Sequence, residues 1–422
     1  MKQTLVMKFG GTSVADIAHI RGAADKVKQE FDYGCNIIVV VSAMSGVTNQ
    51  LVSYVDEACQ YYDRAEYDTI VSTGEMVTAG LFALSLQKMG YNARSLTGYD
   101  LPIKTTSVHS NARITDIHTH KIQHCFDNNQ IVIIPGFQGI SETDNRLTTL
   151  GRGGSDTSAV AMAVAVKAIR CDIYTDVNGV YTTDPRIVSK ARKIPKISYE
   201  EMLEYASLGA KVLQTRSVEL AMAHQIPIQV LSSLESFIGS QQPGTIVCNK
   251  ESHMEQQLVT GVAYSKDEAK ISILNIDDTP GVSAKIFGPL ADAGINVDMI
   301  VQNISSDGKT HLTFTAPMRD IDRSLEVLET NKDIIQFGMI KTDKEVSKVS
   351  IIGVGMRSHT GVASRMFRIL ADKGINIQVI TTSEIKVSVL VHSDYTELAV
   401  RALHMEFNLD KDLTDINAKL AS

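Results

Sequence analysis

Residues 4–13 read TLVMKFGGTS and join an apolar run to a lysine, two glycines and two hydroxyl residues. A short apolar run before a glycine turn is typical of a buried strand that leads into a helix. Gly10 and Gly11 allow the backbone to approach a ligand, and their N–H groups and a helix beginning near Ser13 suit phosphate oxygens. Lys8 ends the strand, where its ammonium suits the same anion. The spacing is not that of a P-loop, so a glycine turn with a capping hydroxyl is an equally good interpretation.

Further buried strands are indicated by the apolar runs at 37–41, 131–135 and 226–231, and amphipathic helical patterns lie between them. Strand and helix in alternation predict an α/β fold with a largely parallel sheet. The polar stretch 236–257 contains glycine and proline and breaks the pattern, so a domain boundary is predicted in or just after it.

Beyond that boundary the chain repeats itself. The segment TPGVSAKIFGPLADAGINVDMI at 279–300 aligns without a gap with HTGVASRMFRILADKGINIQVI at 359–380. Runs with a strand pattern flank each copy, which predicts two small β-α-β-β modules. In both copies Gly-Ile-Asn follows the helix, as expected for a glycine C-cap. Neither copy carries a cluster of catalytic side chains, so we expect two ligand-sensing modules.

Composition restricts the classes of function. The chain has 422 residues, which predicts two to four domains, and its net charge of −7 argues against general nucleic-acid binding. Its five cysteines are widely spaced without a C-x-x-C pair, so neither a disulfide framework nor a zinc site is indicated. The longest apolar runs are shorter than a bilayer span and no signal peptide is recognisable, which predicts a soluble, cytoplasmic protein without a membrane partner.

A second glycine turn, GRGGSDTS at 151–158, precedes an apolar helix. A basic residue, glycines, hydroxyls and a carboxylate at a helix N-terminus can bind an anion and orient a lysine or a metal. A capped turn without a ligand accounts for Asp156 but leaves Arg152 and the second glycine unexplained. We therefore favour a binding site here.

The stretch IYTDVNGVYTTDPR at 173–186 contains an Asn-Gly pair, which predicts a hairpin able to lay Tyr181 and Arg186 over a nucleotide. Asn-Gly hairpins that bind nothing are equally common. Lys211 follows a glycine near a helix and is either a second phosphate cation or a solvated surface charge.

The motifs KFGGTS, VVSAMSGVTN at 40–49, STGE at 72–75, GRGGSDTSA, YTDVNGVYTTDPR and the paired GIN modules occur in this order. In this the chain resembles aspartokinases of the lysine-pathway type over nearly its whole length. The resemblance implies an amino-acid-kinase αβα sandwich at 1–250, followed by two ferredoxin-like α+β ACT modules at 260–342 and 343–422. Because the first module is inserted into the second in that family, the strand near 259–263 is expected to belong to the second module.

The resemblance also implies the reaction: ATP phosphorylates the side-chain carboxylate of L-aspartate to 4-phospho-L-aspartate, the first step of lysine, threonine and methionine biosynthesis. ATP is expected with Mg²⁺, which the nucleotide mainly holds, and no protein metal ligand is predicted. The nucleophile is a carboxylate with a reference pKa near 3.9, so no general base is needed. Catalysis should rest on charge neutralisation and in-line positioning.

Carried over motif by motif, the resemblance implies three sets of residues. The catalytic set is Lys8, Asp156 and Lys211. The ATP-binding set is Lys8, Phe9, Gly10, Gly11, Ser155, Thr175, Asp176, Tyr181, Arg186, Lys211 and Val212. The aspartate-binding set is Ser42, Thr48, Glu75, Arg152, Gly153, Gly154 and Ser155, which supplies an arginine, a carboxylate and hydroxyls for a ligand with two carboxylates and an ammonium.

In the resembling enzymes ACT modules bind lysine and in some members threonine, which implies feedback inhibition and a homodimer or an α2β2 assembly formed through the modules. A strand start after a glycine cap is an equally good interpretation of either asparagine in the GIN motifs. The implied effector-binding residues are Asp292, Asn296, Gln302, Asn303, Asn376, Ile377, Thr382 and Ser383.

Three alternatives stay open. A kinase of the same fold can act on glutamate, N-acetylglutamate or carbamate, although the SAMSGVT and STGE segments disfavour it. A nucleoside-monophosphate kinase fits less well, because Arg152 and Glu75 suit a zwitterion better than a base. A catalytically inactive amino-acid sensor is disfavoured by the retained lysines and by Asp156.

Overall fold

The computed structural model describes residues 2–209, 212–249, 258–304 and 308–411. The chain divides into two compact units, in which residues 181–192 and 207–210 group with the C-terminal unit, and the kinase domain expected at 1–250 stays a prediction. The expected module boundaries stay predictions. The first unit comprises Met1–Val180, Lys193–Ala206 and Lys211–Glu251, and the second comprises Tyr181–Arg192, Ser207–Ala210 and Ser252–Ser422.

An eight-stranded sheet forms the centre of the first unit, in the order β10-β12-β11-β9-β1-β2-β6-β3. Six of its strands run parallel, whereas β12 pairs antiparallel with β11, and β10 follows the direction of β12. The prediction of a largely parallel sheet is confirmed. The strands are β1 (Thr4–Phe9), β2 (Asn36–Val41), β3 (Ala93–Ser95), β4 (Ile103–Thr105), β5 (Ile114–Ile117), β6 (Ile131–Pro135), β7 (Gln138–Ser141), β8 (Leu147–Thr149), β9 (Arg170–Thr175), β10 (Lys196–Ile197), β11 (Ile228–Ser232) and β12 (Thr245–Val247).

The apolar runs become central strands because both faces of the sheet are covered. Every residue of β6 is buried, as are five of the six residues of β2. A smaller sheet of order β5-β4-β7-β8 lies in the same unit. The hairpin predicted at the Asn-Gly pair is wrong, since β9 is followed by β10 and no strand starts between them in this fully described stretch.

Helices in this unit follow the predicted apolar periodicity. The first, α1, begins after Asp16, whose carboxylate accepts a hydrogen bond from the His19 N–H at 2.9 Å. The helix expected near Ser13 is instead a short 3-10 turn, Gly11–Val14. The helices are α1 (Ile17–Asp32), α2 (Val47–Ala58), α3 (Arg64–Val71), α4 (Thr73–Lys88), α5 (His120–Asp127), α6 (Gly154–Ala165), α7 (Tyr199–Ser207) and α8 (Thr215–His224).

The helical stretch Arg64–Lys88 is long and apolar enough, by length and composition, to cross a membrane, and half of its apolar window is buried. It consists of α3 and α4. Ala79, Phe82 and Leu86 of α4 pack with β1 and β2 in the main core cluster. A core helix passes the same criterion, so this stretch carries little weight as a membrane span.

Two four-stranded sheets, of order β15-β16-β14-β17 and β13-β18-β20-β19, form the second unit. Each repeat supplies a strand, a helix and two strands, which confirms the predicted β-α-β-β modules. Strand β13 pairs antiparallel with β18, Val262 lying opposite Ile351, so a strand that precedes the first repeat completes the sheet of the second. The elements are β13 (Gly261–Ser265), β14 (Ala269–Asp277), α9 (Val282–Asp292), β15 (Asp298–Ile304), β16 (Lys309–Ala316), α10 (Ile321–Thr330), α11 (Lys332–Ile335), β17 (Met339–Asp343), β18 (Val346–Ile352), α12 (Val362–Asp372), β19 (Val379–Thr382), β20 (Lys386–His392) and α13 (Thr396–Glu406).

The glycine C-caps predicted for both repeats are present. Gly294 has φ 70° after α9, and Gly374 has φ 67° after α12. This left-handed conformation is favourable for glycine and ends each helix before the Ile-Asn pair.

Candidate active site

The carboxyl ends of four parallel strands define the candidate site. Strand β1 lies between β2 and β9. Strand β6 lies next to β2, on the side away from β1. Ligands of open α/β sheets bind beyond the carboxyl ends of strands at such a reversal of strand order. The loops after β1, β2, β6 and β9 begin with Gly10, Ser42, Gly136 and Asp176, so the predicted motifs meet at this edge.

Lys8 is a buried cation at this edge. It is 8% exposed, and its Nζ lies 2.6 Å from Oδ1 of Asp156 in the first turn of α6. The helix N-terminus favours a carboxylate at that position. A Cβ added at Gly10 would lie 3.4 Å from the same Nζ, so the ammonium sits beside the glycine turn. The predicted pairing of a lysine with Asp156 is therefore present for Lys8.

The glycine turn after β1 offers fewer free donors than its sequence indicates. The Gly10 N–H donates to the Tyr174 carbonyl at 3.2 Å, so it is not available to a phosphate. Phe9 is fully buried and stacks on Tyr174 at 4.8 Å between ring centroids, and its carbonyl accepts from the Ser42 N–H at 3.1 Å. Within the described residues, the Gly11 N–H has no partner and remains open to a ligand.

Glu75 is a buried carboxylate in the first turn of α4. It is 3% exposed, its Oε1 accepts from the Ala43 N–H at 3.0 Å, and its Oε2 has no hydrogen-bond partner among the described residues. Burial raises the pKa of Glu75 to about 7, against the opposing effect of the Ala43 N–H. At Gly74 a Cβ would lie 2.8 Å from the Ala43 Cβ, so glycine is required for this close approach. Among the described residues, this carboxyl group therefore has no counter-charge.

The two predicted hydroxyl ligands lie on either side of Ala43 along the chain, the residue whose N–H binds Glu75. Ser42 follows β2 and is half-buried, and its N–H is held by the Phe9 carbonyl. Thr48 lies in the first turn of α2 and is half-buried. The helix begins after Gly46, whose φ of 82° is favourable for glycine.

The second glycine turn presents Arg152. Gly151 and Gly153 have φ of 77° and 72°, which strains any other residue. Arg152 between them is exposed, and no contact to its guanidinium is found in the described part of the chain. A Cβ at Gly153 would lie 1.9 Å from Cγ of Gln214, so the turn packs tightly against the start of α8. The backbone here is fixed whereas the arginine head is open to a ligand.

The N-terminus of α6 adjoins the end of β6. A Cβ at Gly136 would lie 2.9 Å from the Ser155 Cβ, and one at Gly154 would lie 2.9 Å from the Leu150 Cβ. Ser158 Oγ accepts from the Phe137 N–H at 3.1 Å. These contacts bring Ser155 to the same edge of the sheet as Lys8.

The remaining predicted ATP residues belong to several segments of the chain, of which Thr175 and Asp176 lie at the carboxyl end of β9. Thr175 ends β9, and its hydroxyl donates to Asp176, which is exposed. Val212 is half-buried, whereas Lys211 lies outside the described residues. Tyr181 and Arg186 belong to the second unit, where Arg186 pairs with Asp184 at 2.7 Å.

Asp68 and Arg216 beside the second glycine turn were not predicted. Each is a single charged residue on an amphipathic helix, so no local sequence signal distinguishes it from a surface charge. Their contacts are described below. The part of the chain that the structure describes contains no group of three or more His, Cys, Asp or Glu side chains able to hold a metal ion, and the Asp156 carboxylate is engaged by Lys8.

The predicted effector residues lie on two edge strands of the second unit or in the segments that precede and follow those strands along the chain. Strands β15 and β19 each pair with a single neighbour, and Met299 and Val301 of β15 pack in one cluster with Val379 of β19. Gln302 accepts a hydrogen bond from Ser283 at 3.3 Å, and the Ser383 N–H donates to the Lys386 carbonyl at 2.8 Å. The others lie at or near these strands, namely Asp292, Asn296, Asn303, Asn376, Ile377 and Thr382.

Comparisons with known proteins agree with this architecture. Residues 3–232 match the amino acid kinase family, and residues 267–331 and 349–407 match the ACT domain. An aspartate kinase of Stutzerimonas stutzeri is 50% identical over 96% of this chain and 97% of that protein.

Solved structures give the same result. Aspartokinase III of E. coli in complex with aspartate and ADP, called the R-state, matches with a TM-score of 0.79 at 28% identity over 96% of this chain and 99% of that one. The T-state of the same enzyme, in complex with lysine and aspartate, matches with a TM-score of 0.76 at 27% identity over the same shares. The family is established by the match to the amino acid kinase family, the two matches to the ACT domain and 50% identity over 96% of the chain. The chain belongs to the aspartate kinases.

Proposed function

We propose that the chain transfers the γ-phosphoryl group of ATP to the side-chain carboxylate of L-aspartate, giving 4-phospho-L-aspartate and ADP. The observation that carries this proposal is the meeting, at one edge of the sheet, of the Lys8–Asp156 pair with a buried, uncompensated carboxyl group at Glu75. The Lys8 ammonium suits an anionic phosphate, and the Glu75 carboxylate suits an ammonium. The identity to an aspartate kinase over almost the whole chain supports the same reaction.

Each charge of aspartate has a proposed counterpart. The Arg152 guanidinium is exposed and suits bidentate binding of a carboxylate. The Glu75 carboxylate suits the ammonium, and the Ser42 and Thr48 hydroxyls complete the aspartate side together with Gly153, Gly154 and Ser155.

In the chemical step, an oxygen of the aspartate side-chain carboxylate attacks the γ-phosphorus while the bond to the bridging oxygen of ADP breaks. The nucleophile is ionised at neutral pH, so no residue must remove a proton. The difficulty is the approach of one anion to another, which the ammonium of Lys8 relieves while Asp156 orients it. Lys211 is proposed as the second cation. The substrate is taken as MgATP, because Mg²⁺ usually keeps several waters and binds substrate phosphates.

Turnover with a substrate panel tests the proposal. ADP release is measured with aspartate, glutamate, N-acetylglutamate and carbamate, and the acyl phosphate is trapped with hydroxylamine. We expect aspartate-dependent ADP release with an equal amount of aspartyl hydroxamate. Preference for another acceptor would assign the chain to a different amino-acid kinase, and no ATP turnover with any acceptor would leave the inactive sensor.

We also propose that lysine, threonine or both inhibit the enzyme through the ACT modules, and that these modules form a homodimer or an α2β2 assembly in the cytoplasm. The E. coli relative with bound lysine and the packing of edge strands β15 and β19 of the two modules against each other support this regulation. Assays with each amino acid alone and with both together, combined with a mass measurement, test it. Turnover that is indifferent to both amino acids would refute it.

A further inference from the structure

A fully buried carboxylate on α3, Asp68, takes no part in the chemistry described above. Its Oδ1 accepts from the Thr149 hydroxyl at 2.6 Å. Its Oδ2 accepts from the Ser110 N–H at 2.9 Å and lies 2.9 Å from His109 Nδ1. A buried carboxylate is costly unless its oxygens are satisfied, and here three residues from two other segments satisfy them. Asp68 therefore fixes those two segments against each other.

Both segments adjoin the turn that carries Arg152. Thr149 is the last residue of β8, two positions before Gly151, and its carbonyl accepts from the Ala112 N–H at 2.9 Å. A Cβ at Gly151 would lie 3.0 Å from the Ser110 carbonyl, so the loop that Asp68 holds is packed directly on the turn.

A second side chain ties the same two segments together. Arg216 of α8 donates from Nη1 to the Leu150 carbonyl at 2.6 Å and from Nη2 to the Ala112 carbonyl at 3.1 Å. The Arg152 guanidinium itself has no contact within the described residues. The turn is thus held through its backbone by two buried or half-buried charges, while the side chain that it presents is left open.

We propose that Asp68 and Arg216 are positioning residues for Arg152 and thereby set the affinity for the carboxylate end of aspartate, without acting on the nucleotide. The inference rests on the proposed role of Arg152 in aspartate binding. Within the described residues, neither side chain contacts a group proposed to bind a ligand, so their effect must pass through the turn.

A double-mutant cycle tests this inference. The variants are Asp68→Asn, Arg152→Ala and their combination, and Glu66→Gln is the matched control, because Glu66 lies on the same helix but pairs with Arg146 at the surface. We expect Asp68→Asn to raise KM for aspartate about tenfold or more with KM for ATP changed less than about twofold, since small displacements of a binding group are costly. When Arg152→Ala is already present, adding Asp68→Asn should have no further effect on kcat/KM for aspartate. The Glu66→Gln variant should behave as wild type.

Equal changes of both KM values, or fully additive effects with Arg152→Ala, would overturn the inference and leave Asp68 a purely structural residue. If Asp68→Asn fails to fold by circular dichroism, Arg216→Lys takes its place, since lysine keeps the charge but cannot hold both carbonyls. The same separation of the two KM values is then expected, and its absence overturns the inference. If Arg152→Ala leaves KM for aspartate unchanged, the proposed role of Arg152 falls, and wild-type turnover shows separately whether the proposed reaction holds.

Discussion

If Glu75 binds the ammonium of aspartate, as proposed, its raised pKa makes aspartate binding dependent on pH. The carboxyl group is buried, with a pKa of about 7, and only its ionised form attracts an ammonium. Below pH 7 the group is increasingly protonated. If the ionised form alone binds aspartate, KM for aspartate at pH 6 should be about tenfold that at pH 8.

The same group affects stability with a definite sign. Its pKa in the folded protein lies above the ordinary value of 4.5, so the folded state binds more protons than the unfolded state between these values. The contribution of Glu75 to the free energy of unfolding is largest below pH 4.5 and declines to near zero above about pH 7. At about 1.4 kcal/mol per pKa unit the whole decline is about 3 kcal/mol, most of which falls between pH 5 and pH 8.

The perturbation that tests both consequences is Glu75→Gln, which keeps an oxygen for the Ala43 N–H. We expect KM for aspartate to rise and to lose its dependence on pH between 6 and 8. In urea unfolding without substrate, the free energy of unfolding at pH 5 minus that at pH 8 should be smaller than in wild type by about 2 to 3 kcal/mol.

Two results would refute this reasoning. One is a wild-type KM for aspartate that stays constant from pH 6 to pH 8. The other is a Glu75→Gln variant that keeps the wild-type pH dependence of stability. Glu66→Gln is again the control, since that carboxylate is exposed and should leave both profiles unchanged.

Three further predictions follow from particular contacts. Lys8→Ala should fold but lose about 10²-fold or more in kcat in a coupled ADP assay, and unchanged turnover would contradict its role. Gly153→Ala adds a methyl group 1.9 Å from a neighbouring side chain at φ 72°, so it should raise KM for aspartate and lower the melting temperature more than Gly90→Ala, whose φ is 88° but whose added Cβ meets no atom within 4 Å. Lys348→Met leaves Glu268, 2.7 Å from the lysine and buried, without its cation, and should destabilise the chain by about 3 kcal/mol in urea unfolding, whereas adding Glu268→Gln should restore most of that loss.

The sheet and the modules could be predicted because their signals are local or repeated. Continuous apolar runs such as β2 and β6 have no polar face, and only strands covered on both sides have that pattern. The two modules could be predicted because the two copies of the repeat align with one constant offset in residue number. The grouping of residues 181–192 with the second unit could not be predicted, since it depends on contacts such as that of Thr182 Oγ1 with His404 Nε2 at 2.9 Å, 222 positions apart.

The candidate site was predicted where glycine turns mark it and missed where single charges hold it. The turns at Gly10 and Gly153 can be recognised in the sequence, because few structures other than a tight turn require paired glycines between a strand and a helix. Their hydrogen bonds are not visible, and the Gly10 N–H proves to be taken by the Tyr174 carbonyl. Asp68 and Glu66 lie two positions apart on one helix, yet one is fully buried and the other is exposed, a difference that only tertiary packing decides.

The charges at this edge explain how an acidic chain can bind two anionic substrates. Without ligand, Lys8 is neutralised by Asp156, so a buried ammonium is not left alone. Glu75 instead has no counter-charge in the part of the chain that the structure describes, and burial raises its pKa to about 7. An ammonium bound beside Glu75 would lower the pKa of that carboxyl group and favour its ionised form. Part of the binding free energy of aspartate would then come from offsetting the desolvation cost of the buried Glu75 carboxylate. An acceptor that lacks the ammonium cannot relieve it, and this gives the site a physical basis for preferring an amino acid to a simple dicarboxylate.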